Sequence, residues 1–241
     1  MTDVDRLLAV VEGDAPFAER LAAAEGLAAL GDPRATRHDP VSIGSARIDR
    51  YPVTVALYAP FIESHGYEAR DLWSAEGWEW RTAQKADRPR FWDDPEWSAY
   101  LLPNKPVVGV SFHEAEAYAR FRGARLPAEA EWQRAAGDVL YPWGDEWRDD
   151  ACGERGVGPR GTVPIGVFPK GRSAKGISDL AGCVWQWCTD VHTNADGGLA
   201  RATRGGAWNV LRWNLRVSSR NPYPAGARFS NLGFRCAWDG G

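Results

Sequence analysis

The sequence lacks a long apolar run. None of its segments approaches the roughly 18 uninterrupted apolar residues that a membrane helix requires, so we expect neither a membrane span nor a membrane partner. The N-terminus, from Met1 to Arg6, is acidic where a secretory signal would be basic, and no apolar stretch follows it. These absences predict a soluble, cytoplasmic protein.

A large excess of charge is also missing. The formal net charge is −3, and the arginines are spread along the chain instead of forming a basic stripe. We therefore expect no nucleic-acid partner.

Residues that usually bind metals are scarce. The four cysteines are expected to be reduced in a cytoplasmic chain. The four histidines lack the spacing of a metal site. The composition therefore indicates no required cofactor. The residues are Cys152, Cys183, Cys188 and Cys236, and His38, His65, His113 and His192.

Tryptophan, glycine and proline are abundant, with 13, 26 and 16 residues in a chain of 241. This composition is typical of a fold held together by ring packing and ordered loops. Ser111 and Glu114 have the spacing of a helix capping box, and apolar residues recur at helical spacing elsewhere. Helices are predicted over 16–30, 54–64, 111–123 and 127–137. Short strands are predicted over 163–168, 183–187, 204–208 and 232–238. The apolar residues of 73–97 recur with neither a helical nor a strand period. These elements predict a compact α+β domain.

The first forty residues differ from the rest. The phrase over 22–34 looks like half of a HEAT-type repeat, but a solenoid requires about three repeats and the sequence has one. We interpret 1–40 as an N-terminal helical extension packed on a domain that spans 41–241.

Several motifs occur in a fixed order along that domain. They are Pro-Val-Val-Gly-Val-Ser over 106–111, Arg-Leu-Pro-Ala-Glu-Ala-Glu-Trp over 125–132, Tyr-Pro-Trp-Gly-Asp-Glu over 141–146, Asp-Leu-Ala-Gly-Cys-Val-Trp-Gln-Trp over 179–187, Arg-Gly-Gly-Ala-Trp over 204–208, and Asn-Leu-Gly-Phe-Arg-Cys over 231–236. Together they resemble the formylglycine-generating enzyme (sulfatase-modifying factor) family. The resemblance implies a C-type-lectin-like fold.

Members of that family oxidise a substrate cysteine with Cu(I) held by two cysteines. Counting back from the Gly-Phe-Arg motif, the corresponding positions here are Arg212 and Val217, which offer copper no thiolate. Cys183 and Cys188 have the same five-residue separation elsewhere, but buried, inert thiols are the favoured interpretation. We therefore expect that the chain is not an enzyme.

A second enzymatic relative is the ergothioneine-type sulfoxide synthase. In that enzyme a separate helical bundle supplies a histidine-rich iron site to a domain of this kind. The bundle would have to precede Val41, where the sequence has only His38. We expect no iron chemistry.

Calcium is the metal that the resemblance leaves open. Family members hold a structural Ca²⁺ in the loop that matches 179–187, with the oxygen ligands that this ion prefers. The matching ligands are the Asp179 carboxylate, the Gly182 and Val184 carbonyls, and Gln186 in place of a glutamate. The alternative is that Asp179 and Gln186 only hydrogen-bond the loop.

The segment 209–230 has no period of 2 or 3.6, as packed core would show. Its position and composition resemble the variable region of diversity-generating retroelement proteins, which display altered residues on this fold. The frame residues Trp208, Leu215, Arg216, Arg220 and Arg228 look structural. The predicted binding surface consists of Val210, Leu211, Arg212, Trp213, Val217, Ser219, Asn221, Tyr223, Ala225, Ala227, Phe229 and Ser230.

The sequence therefore predicts a non-catalytic display protein whose variable region spans 205–236. Its partner would be an unidentified protein or small-molecule ligand. The alternatives are a silent interaction module of the family or, less favoured, a copper oxidase of the formylglycine-generating type.

Overall fold

The computed structural model describes residues 1–156, 160–193 and 197–240. Its elements lie in the order α1 (Asp3–Glu12), α2 (Phe17–Leu30), β1 (Pro40–Ser42), β2 (Ala46–Asp49), α3 (Val55–Glu63), α4 (Ala75–Gln84), α5 (Phe112–Phe121), α6 (Glu129–Ala136), β3 (Trp185–Thr193), β4 (Leu199–Arg204), β5 (Leu232–Gly233) and β6 (Ala237–Asp239). The α+β class is as predicted.

Two three-stranded sheets organise the described residues. The first has the antiparallel order β1-β2-β6, with Val41 opposite Ile48 and Arg47 opposite Trp238. The second has the order β4-β3-β5, in which β3 pairs antiparallel with β4 and parallel with β5. Because β6 pairs with β2, the end of the chain is joined to a strand that lies near its beginning.

Local capping signals explain the predicted helices. The Thr54 hydroxyl accepts a hydrogen bond from Leu57 N at 3.1 Å, which satisfies one free amide at the start of α3. Ser111 and Glu114 form the expected capping box at the start of α5. Helix α4, which begins after its cap Ser74, lies in the segment for which the sequence showed no period.

Two strand predictions were wrong for backbone reasons. Residues 163–168 are buried but form no strand, because Pro164 lacks an amide donor and Gly166 has φ +69°. Strand β4 ends at Arg204 instead of beginning there. Gly205 and Gly206 have φ values of +94° and +74°, which turn the chain out of the sheet.

The largest core cluster is aromatic. The Tyr58 and Tyr118 rings are stacked with their centroids 5.0 Å apart, and Phe234 packs edge-on against Tyr118 at 5.4 Å. All three side chains are fully buried. This cluster joins α3 and α5 to the segment between β5 and β6, so the ends of the domain share one core.

The two N-terminal helices pack onto the rest of the domain. Leu27 of α2 is fully buried in a cluster that includes Val167 and Val184. The buried Arg20 guanidinium donates from Nε to the Val167 carbonyl at 2.9 Å. Among the described residues, no helix combines the length and apolar character needed to cross a membrane.

Candidate functional site

A double-glycine turn starts the segment that carries the predicted binding surface. A Cβ on Gly206 would lie 2.4 Å from a Leu215 methyl and 2.9 Å from the Asn214 carbonyl oxygen. The turn therefore brings the following chain closer than a side chain would allow. Trp208 N then donates to the Cys183 carbonyl at 3.1 Å, which holds the segment against the loop before β3.

The middle of the segment is held by a buried carboxylate. Glu129, at the start of α6, accepts hydrogen bonds from Arg204 at 2.9 Å, Arg220 at 2.7 Å and His192 at 2.8 Å. Burial raises the pKa of Glu129, but the bonds from His192, Arg220 and Arg204 outweigh that effect and the pKa falls below its usual value. This charge cluster holds the chain at Arg220 against β4 and the start of α6.

The C-terminal end of the segment is also held by a buried carboxylate. Arg228 pairs with Glu114, whose other partners include the Tyr67 hydroxyl at 2.6 Å and the Ser111 amide. The Arg228 guanidinium also lies over the Trp80 ring, 5.0 Å from its centroid. Arg220 and Arg228 are therefore structural, as predicted.

Two expectations about individual positions in the segment were wrong. Val217 was predicted to lie on the binding surface, but it is 1% exposed and packs in the cluster that contains Trp132. Its amide donates to the Leu140 carbonyl at 2.9 Å, which turns the side chain inward. Arg216, predicted to be structural, is exposed.

A polar cavity of about 370 Å³ opens beside the segment. It is lined by Arg155, Trp185, Asn209, Val210, Asn214, Ser219, Arg220, Asn221, Tyr223 and Asn231. These lining residues include two arginines and no carboxylate. Trp185 is 2% exposed, and within the described part of the chain its indole Nε1 has no hydrogen-bond partner. A buried donor of this kind is unfavourable unless a ligand or water accepts from it.

A second, more aromatic cavity of about 360 Å³ adjoins the first. It is lined by Arg90, Phe91, Trp97, Asn209, Tyr223, Arg228, Phe229, Ser230 and Asn231. Asn209, Tyr223 and Asn231 line both cavities, so the two form one depression, which we call the 209–231 groove. The Asn231 amide donates to Asn209 Oδ1 at 3.0 Å at its centre.

The groove contains half of the predicted binding surface. Six of those residues line it: Val210, Ser219, Asn221, Tyr223, Phe229 and Ser230. The others that are not buried lie outside it: Leu211, Arg212, Trp213, Ala225 and Ala227. Arg212 instead lies over the Trp147 ring, 4.9 Å from its centroid.

Sequence reasoning missed the walls of the groove. Trp185 was recognised as part of a family motif but was not assigned to the binding surface. No feature of the sequence singled out Arg155. Arg90, Phe91 and Trp97 lie within or beside the stretch that had no recognisable period. They reach the groove through the tertiary fold, since Arg90 N donates to the Gly109 carbonyl and Gly109 N donates to the Phe229 carbonyl, each at 3.0 Å.

The predicted calcium loop is tightly folded. Asp179 has φ +55°, and its Oδ2 accepts from Gly166 N at 2.8 Å. Burial raises the pKa of this carboxyl group. The Gly182 carbonyl accepts from Val184 N at 2.8 Å. Two of the proposed ligand oxygens therefore already take part in hydrogen bonds.

Gln186 is also engaged. Its Oε1 accepts from Arg235 Nε at 2.7 Å and from Trp132 Nε1 at 3.0 Å, and its Nε2 donates to the Asp179 carbonyl at 2.7 Å. The bracing role that the sequence left open for Asp179 and Gln186 is thus formed. Calcium ligation by Asp179, Gly182, Val184 and Gln186 stays a prediction. It would require Gln186 Oε1 to give up its hydrogen bond from the Arg235 guanidinium and bind the ion instead.

The four cysteines are separate, buried and free. Each belongs to a different hydrophobic cluster: Cys236 to the one with Tyr58, Cys188 to the one with Trp132, Cys183 to the one with Leu27, and Cys152 to the one with Leu215. Burial raises the pKa of each thiol, in the case of Cys183 to about 12. They do not form a copper-binding pair, and neither Arg212 nor Val217 can replace one.

The histidines are also dispersed. His38 contacts Asp49 at 2.7 Å, His65 lies 3.5 Å from Glu68, and His113 lies 4.0 Å from Glu76. His192 contacts Glu129. Within the described residues they do not converge on one point, so they do not fit a histidine-rich iron site.

Comparison with known proteins identifies the family. The family described as the sulfatase-modifying factor enzyme 1-like domain matches residues 8–240. The chain belongs to this family. The match begins inside α1, so it includes most of the segment that the sequence set apart as 1–40.

Three known proteins illustrate the similarity. A hercynine oxygenase from Mycolicibacterium thermoresistibile is 33% identical over 231 residues, covering 83% of this chain and 52% of that protein. A formylglycine-generating enzyme from Streptomyces coelicolor is 32% identical, covering 80% of this chain and 77% of that protein. The structure of Treponema denticola variable protein 1 covers 80% of this chain and 84% of its own, with 19% identity and a TM-score of 0.54. The chain thus spans about half the length of the hercynine oxygenase and has the C-type-lectin-like fold.

The expectation that the chain is not an enzyme was wrong. Relatives 32–34% identical over most of the chain are named as enzymes. That expectation rested on the absence of the two copper-binding cysteines. Their absence argues only against the copper-dependent oxidation of a substrate cysteine, which is one of the reactions in the family. The likeness to a variable protein concerns the fold alone.

Proposed function

We propose that this chain forms the substrate-binding domain of an enzyme related to the hercynine oxygenases. We propose further that the 209–231 groove holds a small substrate by its carboxylate. The observation that carries this proposal is the polar half of the groove, where Trp185 Nε1 is buried without a partner among the described residues, Arg155 is close by, and no carboxylate lines the cavity. Arg220 also lines it, with its charge paired with Glu129. Such a site favours an anionic acceptor.

The lining residues suit binding more than chemistry. They include neither a thiol nor an imidazole, so their role is to orient the substrate and exclude water. Copper does not fit, because Arg212 and Val217 occupy the positions of its ligands. The name of the relatives indicates hercynine, a histidine betaine with one carboxylate, as the first ligand to test.

Calorimetric titration with hercynine and with an analogue that lacks the carboxylate tests this function. Arg155→Gln should weaken hercynine binding about tenfold or more, since a hydrogen bond to a charged group contributes about 1.5–3 kcal/mol. Binding of the analogue should be unchanged. The matched control is Arg216→Gln, which removes an exposed arginine outside the groove. Equal affinity of hercynine for wild type and Arg155→Gln would disprove the carboxylate site, and no binding of either ligand at millimolar concentration would disprove the substrate class.

A second proposal is that residues 205–236 are diversified by a retroelement, so that the groove varies among copies of the gene. The exposure of Leu211, Arg212, Trp213 and Phe229 on one segment supports it. A near-copy of the codons for 205–236, differing only where the copy has adenine, should then lie beside a reverse-transcriptase gene. Flanking DNA without such a copy would contradict this proposal.

A further inference from the structure

A second cluster of chemically reactive side chains lies away from the lining of the groove. His38, Asp49 and Cys236 each offer one ligand atom, and these atoms all lie within 4.8 Å of one another. Among the described residues this is the group of three that has the spacing of a metal site. Nitrogen, oxygen and sulfur ligands together are the set that zinc accepts in proteins.

The backbone holds the three residues in place. Asp49 ends β2 and Cys236 immediately precedes β6, and Asp49 N donates to the Cys236 carbonyl at 2.9 Å. On the other side, Arg50 N donates to the Asp39 carbonyl at 2.9 Å, which sets His38 beside β2. The cluster therefore joins the segment before β1 to β2, through Asp49, and to the start of β6, through Cys236.

The polar contacts of His38 orient its ring. The Tyr118 hydroxyl donates to the Leu57 carbonyl at 3.1 Å, so it accepts from His38 Nε2, which lies 3.1 Å away. In the neutral tautomer that carries its proton on Nε2, Nδ1 presents its lone pair. That lone pair faces Asp49 Oδ2 at 2.7 Å. A contact of this length is favourable when a cation lies between the two atoms, either a proton on Nδ1 or a metal ion.

Asp49 supplies an independent indication. Its residue exposure is 2%, and Oδ1 is buried without a hydrogen-bond partner among the described residues. Oδ2 also accepts from Cys236 N at 3.3 Å. A buried carboxylate oxygen without a partner is costly, and coordination of a metal ion removes that cost.

We propose that His38 Nδ1, an Asp49 carboxylate oxygen and Cys236 Sγ bind one Zn²⁺ ion. At zinc–ligand distances of about 2.0–2.3 Å, tetrahedral ligand atoms lie about 3.4 Å apart, a spacing between the 2.7 Å His38–Asp49 contact and the 4.8 Å limit of the cluster. Binding displaces the Cys236 thiol proton, because a coordinated thiol is deprotonated. Tyr118 orients the ring through Nε2, as groups behind metal-binding histidines commonly do.

Metal titration of the purified chain tests the proposal. Metal-free protein should take up one Zn²⁺ per chain in competition with a chromophoric chelator. Its Co²⁺ form should show the sulfur-to-metal charge-transfer absorption of a thiolate ligand. Cys236→Ser should lose this absorption, whereas Cys188→Ser, which removes another fully buried thiol outside the cluster, should retain it.

A conservative variant separates metal binding from folding. Tyr118→Phe keeps the stacked ring but removes the hydroxyl that holds His38, and it should lower zinc affinity roughly 10–100-fold with an unchanged circular dichroism spectrum. His38→Gln serves if Cys236→Ser fails to fold, and it should abolish one-to-one uptake. A wild-type protein that binds no stoichiometric zinc, a Co²⁺ form without charge-transfer absorption, or a His38→Gln protein with wild-type affinity would overturn the proposal. These outcomes do not depend on whether the groove binds hercynine.

Discussion

Glu129 connects several distant parts of the chain beside the groove, because it accepts hydrogen bonds from His192, Arg204 and Arg220. It is 8% exposed and joins α6 to β4 through Arg204 and to the binding segment through Arg220. Arg204 is itself 2% exposed and would lose its carboxylate partner if Glu129 were neutral. Breaking one side of a buried ion pair typically costs more than the pair contributes, because a charge is left unpaired.

We predict that Glu129→Gln destabilises the protein by roughly 3 kcal/mol at neutral pH. The pKa of Glu129 is lowered in the folded protein, so the stabilisation is complete above the pKa of the unfolded chain, and protonation removes it. The difference between wild type and variant should therefore be full above about pH 5 and shrink as the pH falls through the lowered pKa. Urea unfolding from pH 3 to 8 measures it. A difference that grows on acidification would contradict this assignment.

Single positions in 209–230 show why residue-level prediction was incomplete. Val217 and Arg216 are neighbours with opposite exposures, and neither periodicity nor composition distinguishes them. The deciding contact is the hydrogen bond from Val217 N to Leu140, a residue distant in the chain. Arg220 and Arg228 were predicted correctly as structural because the motif fixed their spacing, although their partners Glu129 and Glu114 were not assigned from the sequence.

At the scale of elements, the start of α5 connects helix capping to the groove. The Ser111 hydroxyl accepts from Glu114 N at 3.2 Å, and both its Oγ and its amide donate to Glu114 Oε2 at 2.8 Å. Glu114 also holds Arg228, which lines the groove. Loss of the cap should therefore loosen more than one helix turn.

We predict that Ser111→Ala destabilises the protein by about 1 kcal/mol, the usual cost of removing a helix cap. Ser218→Ala, at an exposed position, should stay within about 0.5 kcal/mol of wild type. Thermal unfolding of both variants measures the difference. Equal melting temperatures would show that the cap contributes nothing.

Elements with local signals were predictable, and those without them were not. Helices α2, α3, α5 and α6 have caps or glycine stops that the sequence displays, and their positions agree with prediction. The 163–168 segment has apolar residues typical of a strand, but Pro164 and Gly166 prevent a ladder. Strand β4 lies just before its predicted position because the turn at Gly205 limits it.

For the whole molecule, the packing of the N-terminal helices is the feature that matters most, because they share a hydrophobic cluster with the rest of the chain. Leu27 is fully buried against the loop that precedes β3, whereas Leu30, one turn later, is 55% exposed. How firmly 1–40 attaches could not be predicted from the sequence, because α2 is held by distant residues: Asn104 donates to the Ala24 carbonyl and Arg20 to the Val167 carbonyl. The motifs did predict the fold itself, since their order is specific to it.

We predict that Leu27→Ala destabilises the whole domain by about 3 kcal/mol, the cost of an internal cavity. Leu30→Ala is the matched control and should change stability by less than about 0.5 kcal/mol. Denaturant unfolding followed by tryptophan fluorescence, which reports mainly on the rest of the domain, detects the effect. An unchanged fluorescence transition in Leu27→Ala would indicate that α2 unfolds independently.

Calcium provides a second test at this scale. If the loop around Asp179 binds the ion, calcium at 100 times its dissociation constant should stabilise the protein by about 2.7 kcal/mol. The melting temperature should then rise with calcium and fall with a chelator. Asp179→Ala should remove that response. A melting temperature indifferent to both additions would leave Asp179 and Gln186 in a bracing role alone.

The four buried cysteines can report local unfolding of the protein, because they lie in different parts of its core. A thiol-alkylating reagent reaches a buried cysteine only when its surroundings separate transiently. Cys152, Cys183, Cys188 and Cys236 lie in four different clusters. The alkylation rate of each cysteine therefore measures how often the region around it unfolds locally. One mass-spectrometric time course would therefore rank the four regions by local stability, with no introduced probe.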